Sequence, residues 1–600
     1  MRPIDSPAPS ELAPASNRLW PDAIVIAVLV AVVSLIYGAR LGLTPLVGEE
    51  TRWGNGAREM LATGDWIVPR QQGQVFPERP LMSMWVMAAV GWFRGNVDPL
   101  AIRLPSVLAV VLTSLLIYAY ARATLSQTSA VTAALAYATF GQVLQIGRLG
   151  ESEAVFALFV SASLLVWHLG YIRRWPALAT WSSGFAFAAS AALVKGPQAP
   201  IYFGAITTVY LVVRRDWRFL FSWQAVVGAF AFAAIVAMWQ VPFYHATDWS
   251  AVVATWAGLA GDRIKLSGLI EHAFSYPAQT FVCLLPWSPM LIALFRPGIR
   301  QLISDKRPIV EFLLTAIVVA YPTVWLAAGA RGRYFMPLYP LVAVLIGLLI
   351  DRCSHAVRGS AQYRGWSLFI LAWAILIGAG SLAIGSGGVF SADVAERLFQ
   401  PRWFCAVFAA VGASAASVLW IAYRRPGSFG PLAVVLAIAT TAAAGAGGLM
   451  MNVNAGRWKN PTAIVADFKN ELPIGASLVS LSPIDHRFAF YFGEPIEEIA
   501  WPRALGDLPA NVDYFCFMRN PGDTAQARRS GRGRSWQDTP GTLPFAWEEI
   551  DAICTDRQPD SKAPMMVVLG HVVRPLRAEV SDATIPHRVT AQQPAGTRRK

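Results

Sequence analysis

Charged residues are scarce in this chain of 600 residues. Asp, Glu, Lys and Arg make up 14% of the sequence, whereas a soluble domain of average composition carries roughly 25%. Hydrophobic residues make up 55%, and the mean hydropathy is +0.44. This composition argues against a soluble enzyme and predicts a membrane protein with many spans.

Cysteine is also rare, and its spacing forms no recognisable motif. The five cysteines are Cys283, Cys353, Cys405, Cys516 and Cys554. They form no CxxC pair and no Cys/His spacing of the kind that holds structural zinc. The sequence therefore gives no support to a fold stabilised by structural zinc or by disulfide bonds.

The formal net charge is +13, which in a soluble chain would suggest a nucleic-acid partner. Here the cations are instead concentrated in alternate loops between apolar segments. This is the positive-inside bias of membrane proteins, so we expect those loops to be cytoplasmic and expect no nucleic-acid partner. The cation-rich loops carry Arg173/Arg174, Arg214/Arg215/Arg218, Arg296/Arg300/Lys306/Arg307, Arg352/Arg358/Arg364 and Arg424/Arg425.

Apolar runs of membrane-spanning length recur along most of the chain. They predict thirteen transmembrane helices near 24–37, 101–122, 129–146, 154–172, 178–194, 198–213, 223–244, 276–295, 308–328, 334–350, 366–386, 402–422 and 431–451. The N-terminal tail, 1–20, is then cytoplasmic, and the chain after 452 lies outside. The apolar segment 81–93 is too short to span, which favours an interfacial helix.

The composition changes after residue 451, where charge rises and Pro and Gly become frequent. Continuous β-type runs alternate with a helix-compatible stretch, which predicts a small α/β domain over 452–585. The runs are 476–481, 512–517 and 565–570, and the helical stretch is 463–472. The polar residues 586–600 predict a disordered tail. The predicted fold class is thus an all-α polytopic membrane domain, 21–451, followed by a periplasmic α/β domain.

Two acidic clusters are predicted on the same outer face. Glu49 and Glu50 follow the first span in the outer loop 40–100, and Glu151 and Glu153 lie in the short loop before the span 154–172. Outward cations accompany them: Arg52, Arg58, Arg79, Lys195, Arg331 and Arg333. A carboxylate that deprotonates a hydroxyl, beside cations that hold an anionic leaving group, is what a membrane transferase needs. Two other interpretations compete with this one. In the first, the cations only anchor the loops to lipid headgroups, and in the second, Glu153 only interacts with the positive end of its helix dipole.

At these residues the sequence resembles the polyprenyl-phosphate-sugar transferases of the GT-C fold, specifically the bacterial lipid A aminoarabinose transferases and the protein O-mannosyltransferases. The resemblance rests on an ordered series of short motifs across residues 41–340. The motifs are Glu49-Glu50, Arg52-Trp53, Ala57-Arg58-Glu59-Met60, Gly64-Asp65-Trp66, Arg79-Pro80 with Trp85, Arg103-Leu104-Pro105-Ser106, Arg148 with Glu153, Lys195-Gly196-Pro197, Leu285-Pro286-Trp287-Ser288 and Arg333-Tyr334 with Pro337.

The resemblance implies sugar transfer from a polyprenyl-phosphate donor to a periplasmic lipid or glycan, with inversion at the sugar carbon, in a bacterial inner membrane. It makes Glu49 the expected general base, with Glu50 beside it and Glu153 as a second acidic group. The expected substrate-binding residues are Arg52, Arg58, Arg79, Lys195, Arg333 and Tyr334. The family has Asp where Glu49 and Glu153 stand, and a Lys-Pro-Pro element where Glu78-Arg79-Pro80 stands.

Other interpretations stay open at this point. A transporter or flippase for a lipid-linked sugar is one, and a non-catalytic lipid-binding scaffold is another, because the two Asp positions are changed. No cofactor is predicted, although His245, Asp248, Asp262 and His272 leave a divalent-cation site open. A lipid acceptor is expected in preference to a protein acceptor. The basic group Arg528, Arg529, Arg532 and Arg534 supports that expectation through attraction to lipid headgroups.

Overall fold

The computed structural model describes residues 20–257, 268–386, 403–452, 461–481, 483–519, 543–553 and 566–574. Most of the predicted N-terminal tail, the arginine group 528–534 and the predicted tail 586–600 lie outside these residues. The helices are α1 (Asp22–Gly38), α2 (Glu50–Thr63), α3 (Met82–Arg94), α4 (Pro99–Thr124), α5 (Gln127–Ala138), α6 (Gly141–Ile146), α7 (Glu153–Ile172), α8 (Ala177–Lys195), α9 (Gln198–Arg214), α10 (Trp217–Leu220), α11 (Trp223–Ala246), α12 (Trp249–Ala257), α13 (Leu269–Cys283), α14 (Ile299–Leu302), α15 (Arg307–Trp325), α16 (Tyr339–Ser354), α17 (Ala361–Ser386), α18 (Trp403–Arg424), α19 (Pro431–Ala444), α20 (Pro461–Asn470) and α21 (His486–Phe492).

Within the described residues, nine helical segments are long and apolar enough to cross a membrane. They are Pro99–Thr124, Glu153–Ile172, Ala177–Lys195, Trp217–Ala246, Ser304–Trp325, Gly332–Ser354, Ala361–Ser386, Cys405–Arg424 and Pro431–Met450. A polytopic membrane protein is thus confirmed, whereas the count of thirteen stays a prediction.

The remaining four predicted spans are helical but short, broken or bent. α1 and α9 have 17 residues each. The predicted span 129–146 is divided between α5 and α6, and the span 276–295 is α13 followed by the short helix Ser288–Phe295, bent by 115°. Local breaks of this kind leave the hydropathy of a segment unchanged, so hydropathy does not reveal them.

Burial separates inner from outer helices. In Gly332–Ser354, 89% of the apolar window is buried inside the protein, whereas in Trp217–Ala246 the share is 6%. The outer helix exposes large apolar side chains such as Val226, Phe230 and Met238. Such a surface is stable against lipid chains and unfavourable in water, which fits a helix at the lipid-facing edge of the bundle.

The first outer loop folds as a helix, a small hairpin and a second helix. α2 ends at Gly64, which adopts a left-handed conformation, and strands β1 (Arg70–Gln71) and β2 (Gln74–Val75) pair antiparallel before α3 begins. The apolar segment 81–93 is therefore helical, as predicted, and its interfacial position stays a prediction. Its apolar residues pack with those of α2, α11 and α21 in one cluster that includes Trp53, Met84 and Phe490.

The C-terminal residues form a five-stranded mixed sheet in the order β4-β3-β5-β7-β6. Its strands are β3 (Leu478–Ser480), β4 (Glu497–Glu498), β5 (Tyr514–Arg519), β6 (Trp547–Ile553) and β7 (Met566–Val572). β3 runs parallel to β4 and β5, and β7 runs antiparallel to β5 and β6. The sequence analysis located three of these strands and missed β4 and β6, of which β6 is largely half-exposed and carries several acidic residues.

Candidate active site

A buried ion pair between Glu50 and Arg103 holds the first outer loop to the helical core. Glu50 begins α2, and Arg103 lies near the start of α4. Arg103 donates to the Glu50 carboxylate, from Nε to Oε1 at 2.7 Å and from Nη2 to Oε2 at 2.8 Å. Its other N–H groups donate to the carbonyl oxygens of Leu41, Thr44 and Pro45. All five donors of this buried cation are therefore paired, as a buried charge requires.

The same carboxylate of Glu50 joins the two predicted acidic loops. It accepts hydrogen bonds from the backbone N–H groups of Val47 and Gly150, each at 2.7 Å. At Gly48, whose φ is +60°, an added Cβ would lie 2.7 Å from Oε1 of Glu151. The loop before α2 and the loop before α7 are thus in direct contact.

Two carboxylates and two cations form a nearly buried cluster beside this contact. Glu153 begins α7 and Lys195 ends α8. The Nζ atom of Lys195 lies 2.7 Å from Oε1 of Glu153. Arg333, just before α16, has Nε 3.3 Å from the same oxygen, and its Nη1 contacts the carboxylate of Glu151. Three segments distant in sequence therefore bring compensating charges to one place, which limits the cost of burying them.

Glu151 has a strongly perturbed carboxyl group. Burial and the adjacent carboxylate of Glu153 raise the pKa of Glu151 well above its ordinary value, against the opposing effect of Arg333. A carboxyl with a raised pKa can hold a proton near neutral pH, and such groups are concentrated at functional sites. The sequence analysis noted Glu151 in the second loop without giving it a separate role.

Glu49 is the accessible carboxylate of the first loop. Its side chain is 40% exposed, whereas that of Glu50 is fully buried. Glu49 pairs with Arg52 at 2.9 Å, and the same Nη1 of Arg52 lies 3.5 Å from Glu78. Of the two adjacent glutamates, only Glu49 can therefore approach a ligand without dismantling a buried ion pair.

Arg79 supplies a further cation that is incompletely paired. Its guanidinium lies 5.7 Å from the ring centre of Trp53, and its charge acts on Glu153 and Lys195. The Nη1 atom of Arg79 is buried and has no hydrogen-bond partner among the described residues. A buried donor without a partner is costly, so this atom marks a position where an anionic ligand would be stabilised.

Tyr334 adjoins the cluster through Lys195. The ammonium nitrogen lies 5.4 Å from the ring centre of Tyr334 and 6.0 Å from that of Phe156. Both are cation–π distances, so the rings cover the cation while its hydrogen bond goes to Glu153. The predicted residues Glu153, Lys195, Arg333 and Tyr334 are therefore brought together.

Arg58 has a different environment from the other predicted cations. It donates from Nη1 to the carbonyl oxygen of Phe490 at 2.9 Å, and its guanidinium lies 4.2 Å from the ring centre of the same residue. Burial lowers the pKa of Arg58. Its contacts join α2 to α21 of the C-terminal sheet unit, and none of the ion pairs formed by the described residues involves it.

His486, at the start of α21, contacts the same face of α2 and carried no sequence prediction. Its Nδ1 lies 2.6 Å from Oγ1 of Thr51, and its carbonyl oxygen accepts a hydrogen bond from Asn55 at 2.8 Å. Burial lowers the pKa of His486. No motif in the sequence indicates this contact, because the partners are more than 400 positions apart.

No group of three or more His, Cys, Asp or Glu side chains is arranged to hold a metal ion within the described ranges. Of the residues considered for a cation, Asp248 caps α12 and His272 lies 3.2 Å from the carbonyl oxygen of Val324. Asp262 lies outside the described residues.

Arg103 is the main site residue to which the sequence analysis gave no role. It appeared only as part of the Arg103-Leu104-Pro105-Ser106 motif. A cation within a predicted apolar span was nevertheless a signal, because such residues are expensive and are retained with a partner. The partner itself could not be identified, since Glu50 lies 53 positions earlier in the chain.

A family model and several known proteins match parts of this chain. The family model described as dolichyl-phosphate-mannose-protein mannosyltransferase matches residues 78–239. An undecaprenyl phosphate-alpha-4-amino-4-deoxy-L-arabinose arabinosyl transferase from Edwardsiella ictaluri is 26% identical over 315 residues, covering 51% of this chain and 55% of the relative. The enzyme of the same name from Pseudomonas paraeruginosa is 26% identical over 339 residues, covering 55% and 60%. The chain thus matches a little over half the length of these relatives.

A solved structure extends the likeness to nearly the whole chain. ArnT from Cupriavidus metallidurans bound to undecaprenyl phosphate has a TM-score of 0.64 at 19% identity, covering 92% of this chain and 98% of that one. This chain therefore has the fold of a GT-C glycosyltransferase. More particularly, it resembles the aminoarabinose transferases, which confirms the resemblance predicted from the motifs.

Proposed function

We propose that the protein transfers a sugar from a polyprenyl-phosphate donor to an acceptor on the outer side of the membrane. The observation that carries the proposal is the contact between the loop bearing Glu49 and the buried cluster of Glu151, Glu153, Lys195 and Arg333. Relatives named as undecaprenyl-phosphate-linked arabinosyl transferases support it, as does the fold of an ArnT bound to undecaprenyl phosphate.

The proposed step is a single displacement at the sugar carbon. An acceptor hydroxyl oxygen attacks the anomeric carbon and forms the new C–O bond, while the bond from that carbon to the phosphate oxygen breaks. The electron pair leaves with polyprenyl phosphate, and the acceptor proton passes to Glu49. Glu49 suits the role of base because its carboxylate is accessible and is oriented by Arg52.

We propose that the cations Lys195, Arg333 and Arg79 bind the phosphate of the leaving polyprenyl phosphate. Lys195 and Arg333 are held by the carboxylates of Glu153 and Glu151, and Arg79 has a buried donor still unpaired in the described structure. Charge-assisted hydrogen bonds from preorganised cations stabilise the negative charge that develops on the phosphate. Tyr334 covers Lys195, and Arg52 would hold Glu49 in place.

Glu50 and Arg58 receive supporting roles in this proposal. The carboxylate of Glu50 is engaged by Arg103 and by backbone N–H groups, so Glu50 would position its neighbour Glu49 rather than react. Arg58 would attach the C-terminal unit to α2.

We further propose thirteen spans with the N-terminus in the cytoplasm, followed by an outer α/β domain over 452–585. A cysteine replacing Ile474, a fully exposed residue of this domain, should react with an impermeant reagent on intact cells. A cysteine replacing the exposed Val357, on a cation-rich loop, should react only after the membrane is opened. The reverse pattern would overturn the orientation.

The acceptor is proposed to be an anionic lipid, because outward cations surround the acidic residues. Mass spectrometry of envelope lipids and glycans from cells with and without the gene tests this. Loss of a sugar mass from a lipid supports the proposal, whereas loss from a periplasmic protein alone would overturn the lipid acceptor and keep the transferase. Unchanged glycans with altered lipid distribution would indicate a flippase instead.

A further inference from the structure

A cavity of about 220 Å³ lies at the end of the bundle away from the candidate active site. It is enclosed by the ends of α16, α17, α18 and α19 and is lined at its polar side by Ser354 and His355. Arg333 precedes α16 and His355 follows it, so the 16 residues of that helix separate the two places by about 24 Å. This cavity is therefore distinct from the proposed transfer site.

The cavity contains hydrogen-bond donors that the protein does not use. Tyr363, Trp366, Ser367 and Tyr423 line it, and each carries a side-chain O–H or N–H group. None of these side-chain donors has a hydrogen-bond partner within the described part of the chain. Donors clustered in one cavity favour a ligand with several acceptor oxygens.

Four arginines without acidic partners lie in the two chain segments that line the cavity, 354–370 and 422–434. Arg358, Arg364, Arg424 and Arg425 form no ion pair with any described residue, unlike Arg352, which pairs with Asp305 at 2.5 Å. Nη2 of Arg358 donates to the carbonyl oxygen of Pro426, a lining residue, and lies 3.7 Å from where a Cβ on Gly427 would stand.

One carboxylate close to the cavity forms no ion pair with these arginines. Asp351, on the last turns of α16, accepts hydrogen bonds from Ser126 and Ser129 at 2.7 and 3.0 Å and lies 3.4 Å from His355. It is thereby held on the side of α5. The four arginines therefore have no ion-pair partner among the described residues.

Apolar surface continues from the cavity along the bundle. Leu368 on α17, Ile421 on α18 and Leu436 on α19 are 55%, 40% and 47% exposed. In a membrane such side chains are covered by lipid tails. The site thus combines donors and cations at one end with a hydrocarbon-compatible surface beside it, which is the chemistry of a phospholipid.

We propose that this cavity binds the phosphate-bearing headgroup of an anionic phospholipid from the cytoplasmic leaflet. Its volume is smaller than the roughly 300–1,000 Å³ of pockets that enclose whole drug-sized ligands. The cavity accommodates a headgroup, while the acyl chains lie against the exposed apolar side chains of α17 to α19. Basic pockets between membrane helices on the cytoplasmic side bind such headgroups in the same way.

The test is lipid binding to the purified full-length protein in detergent, followed by native mass spectrometry. The probes are phosphatidylglycerol and cardiolipin, with phosphatidylcholine as the uncharged comparison. Arg358→Gln with Arg425→Gln removes two cations at the cavity, and binding of the anionic lipids should fall by roughly fivefold for each arginine. The matched control is Arg173→Gln with Arg174→Gln, which removes two cations from another cation-rich loop. Arg173, like Arg358, donates to a backbone carbonyl oxygen.

A second variant keeps every charge and fills the cavity. Gly430 lines it, has an ordinary backbone conformation, and an added Cβ there would meet no atom within 4 Å. Gly430→Leu should therefore fold normally and reduce binding of the anionic lipids at least fivefold. Phosphatidylcholine binding should stay unchanged in all variants.

Equal losses in the cavity and control pairs, or full binding by Gly430→Leu, would overturn the proposal in favour of general surface attraction. Displacement of the lipids by millimolar inorganic phosphate would overturn the assignment to a lipid, since a free anion would then satisfy the site. Because none of these measurements involves sugar transfer, their failure would leave the proposed function untouched.

Discussion

The carboxylate of Glu151 lies against the α-carbon of Gly48. A Cβ added at Gly48 would stand 2.7 Å from Oε1, closer than real Cβ atoms come to other atoms. Through this contact Gly48, the residue before Glu49, packs against the charged cluster that includes Arg333 and Glu153. Glycine is favoured there on two grounds, the close approach of Glu151 and the φ of +60°.

Gly48→Ala should therefore displace the loop that carries Glu49 and lower the transfer rate by at least about 100-fold, because displacements near 1 Å can cost that much. Gly64→Ala is the matched control, since Gly64 has a φ of +72° and no atom within 4 Å of an added Cβ. Both variants should lose about 1 kcal/mol of stability from backbone strain. Equal transfer rates in the two variants would contradict the role of the contact.

Lys195→Met should destabilise the protein strongly. It leaves the buried carboxylate of Glu153 without its 2.7 Å partner, and breaking a buried pair in this way costs about 3–5 kcal/mol. The double variant Lys195→Met, Glu153→Gln should recover most of the loss, because the carboxylate charge that lost its ammonium partner is gone. Thermal unfolding of the parent, both single variants and the double variant measures this, and additive losses would contradict the coupling.

The raised pKa of Glu151 predicts how stability depends on pH. The folded state binds this proton more tightly than the unfolded state, whose carboxyl has a pKa of about 4.3. The stabilisation is complete below that value and is lost as pH rises through the folded-state pKa. Glu151→Gln should therefore flatten this part of the stability curve, measured as unfolding temperature against pH. An unchanged curve would mean that Glu151 does not titrate as described.

Arg58→Ala should loosen the C-terminal unit from α2. The substitution removes a hydrogen bond to Phe490 and a cation–π contact at 4.2 Å, together worth about 1–3 kcal/mol. Hydrogen exchange of the backbone in α2 and α21 should become faster. Arg70→Ala, which breaks the partly exposed pair between Asp65 and the first strand of the hairpin, should leave exchange in α21 unchanged. If α21 were equally protected from hydrogen exchange in both variants, Arg58 would not contribute to docking of the C-terminal unit on α2.

Much of the helical domain could be predicted from the sequence, because long apolar runs have few stable alternatives in a bilayer. The short helix Met82–Arg94 was predicted from an apolar run too short to span a bilayer. The break between α5 and α6 was not, since local hydropathy is similar for a straight and an interrupted helix. The strand Trp547–Ile553 was missed because its exposed acidic residues resemble those of a loop.

The acidic and basic residues of the candidate site could be proposed from the sequence, whereas the contacts between them depend on long-range packing. Alternating loop charge indicated that Glu49 and Glu153 share a face, and the structure brings their two loops into contact. The pairing of Arg103 with Glu50 and the contact of His486 with Thr51 depend on how distant segments pack. No local pattern encodes such pairings.

We propose above all that Glu49 is the base of a sugar transfer from polyprenyl phosphate. The most direct measurement incubates purified protein with the lipid and glycan extract of cells that lack the gene, and follows sugar adducts by mass spectrometry. The parent protein should generate a new sugar-bearing product together with free polyprenyl phosphate. Glu49→Gln, which keeps the shape and removes the charge, should reduce the rate at least about 100-fold. Transfer by Glu49→Gln at the parent rate would contradict the account.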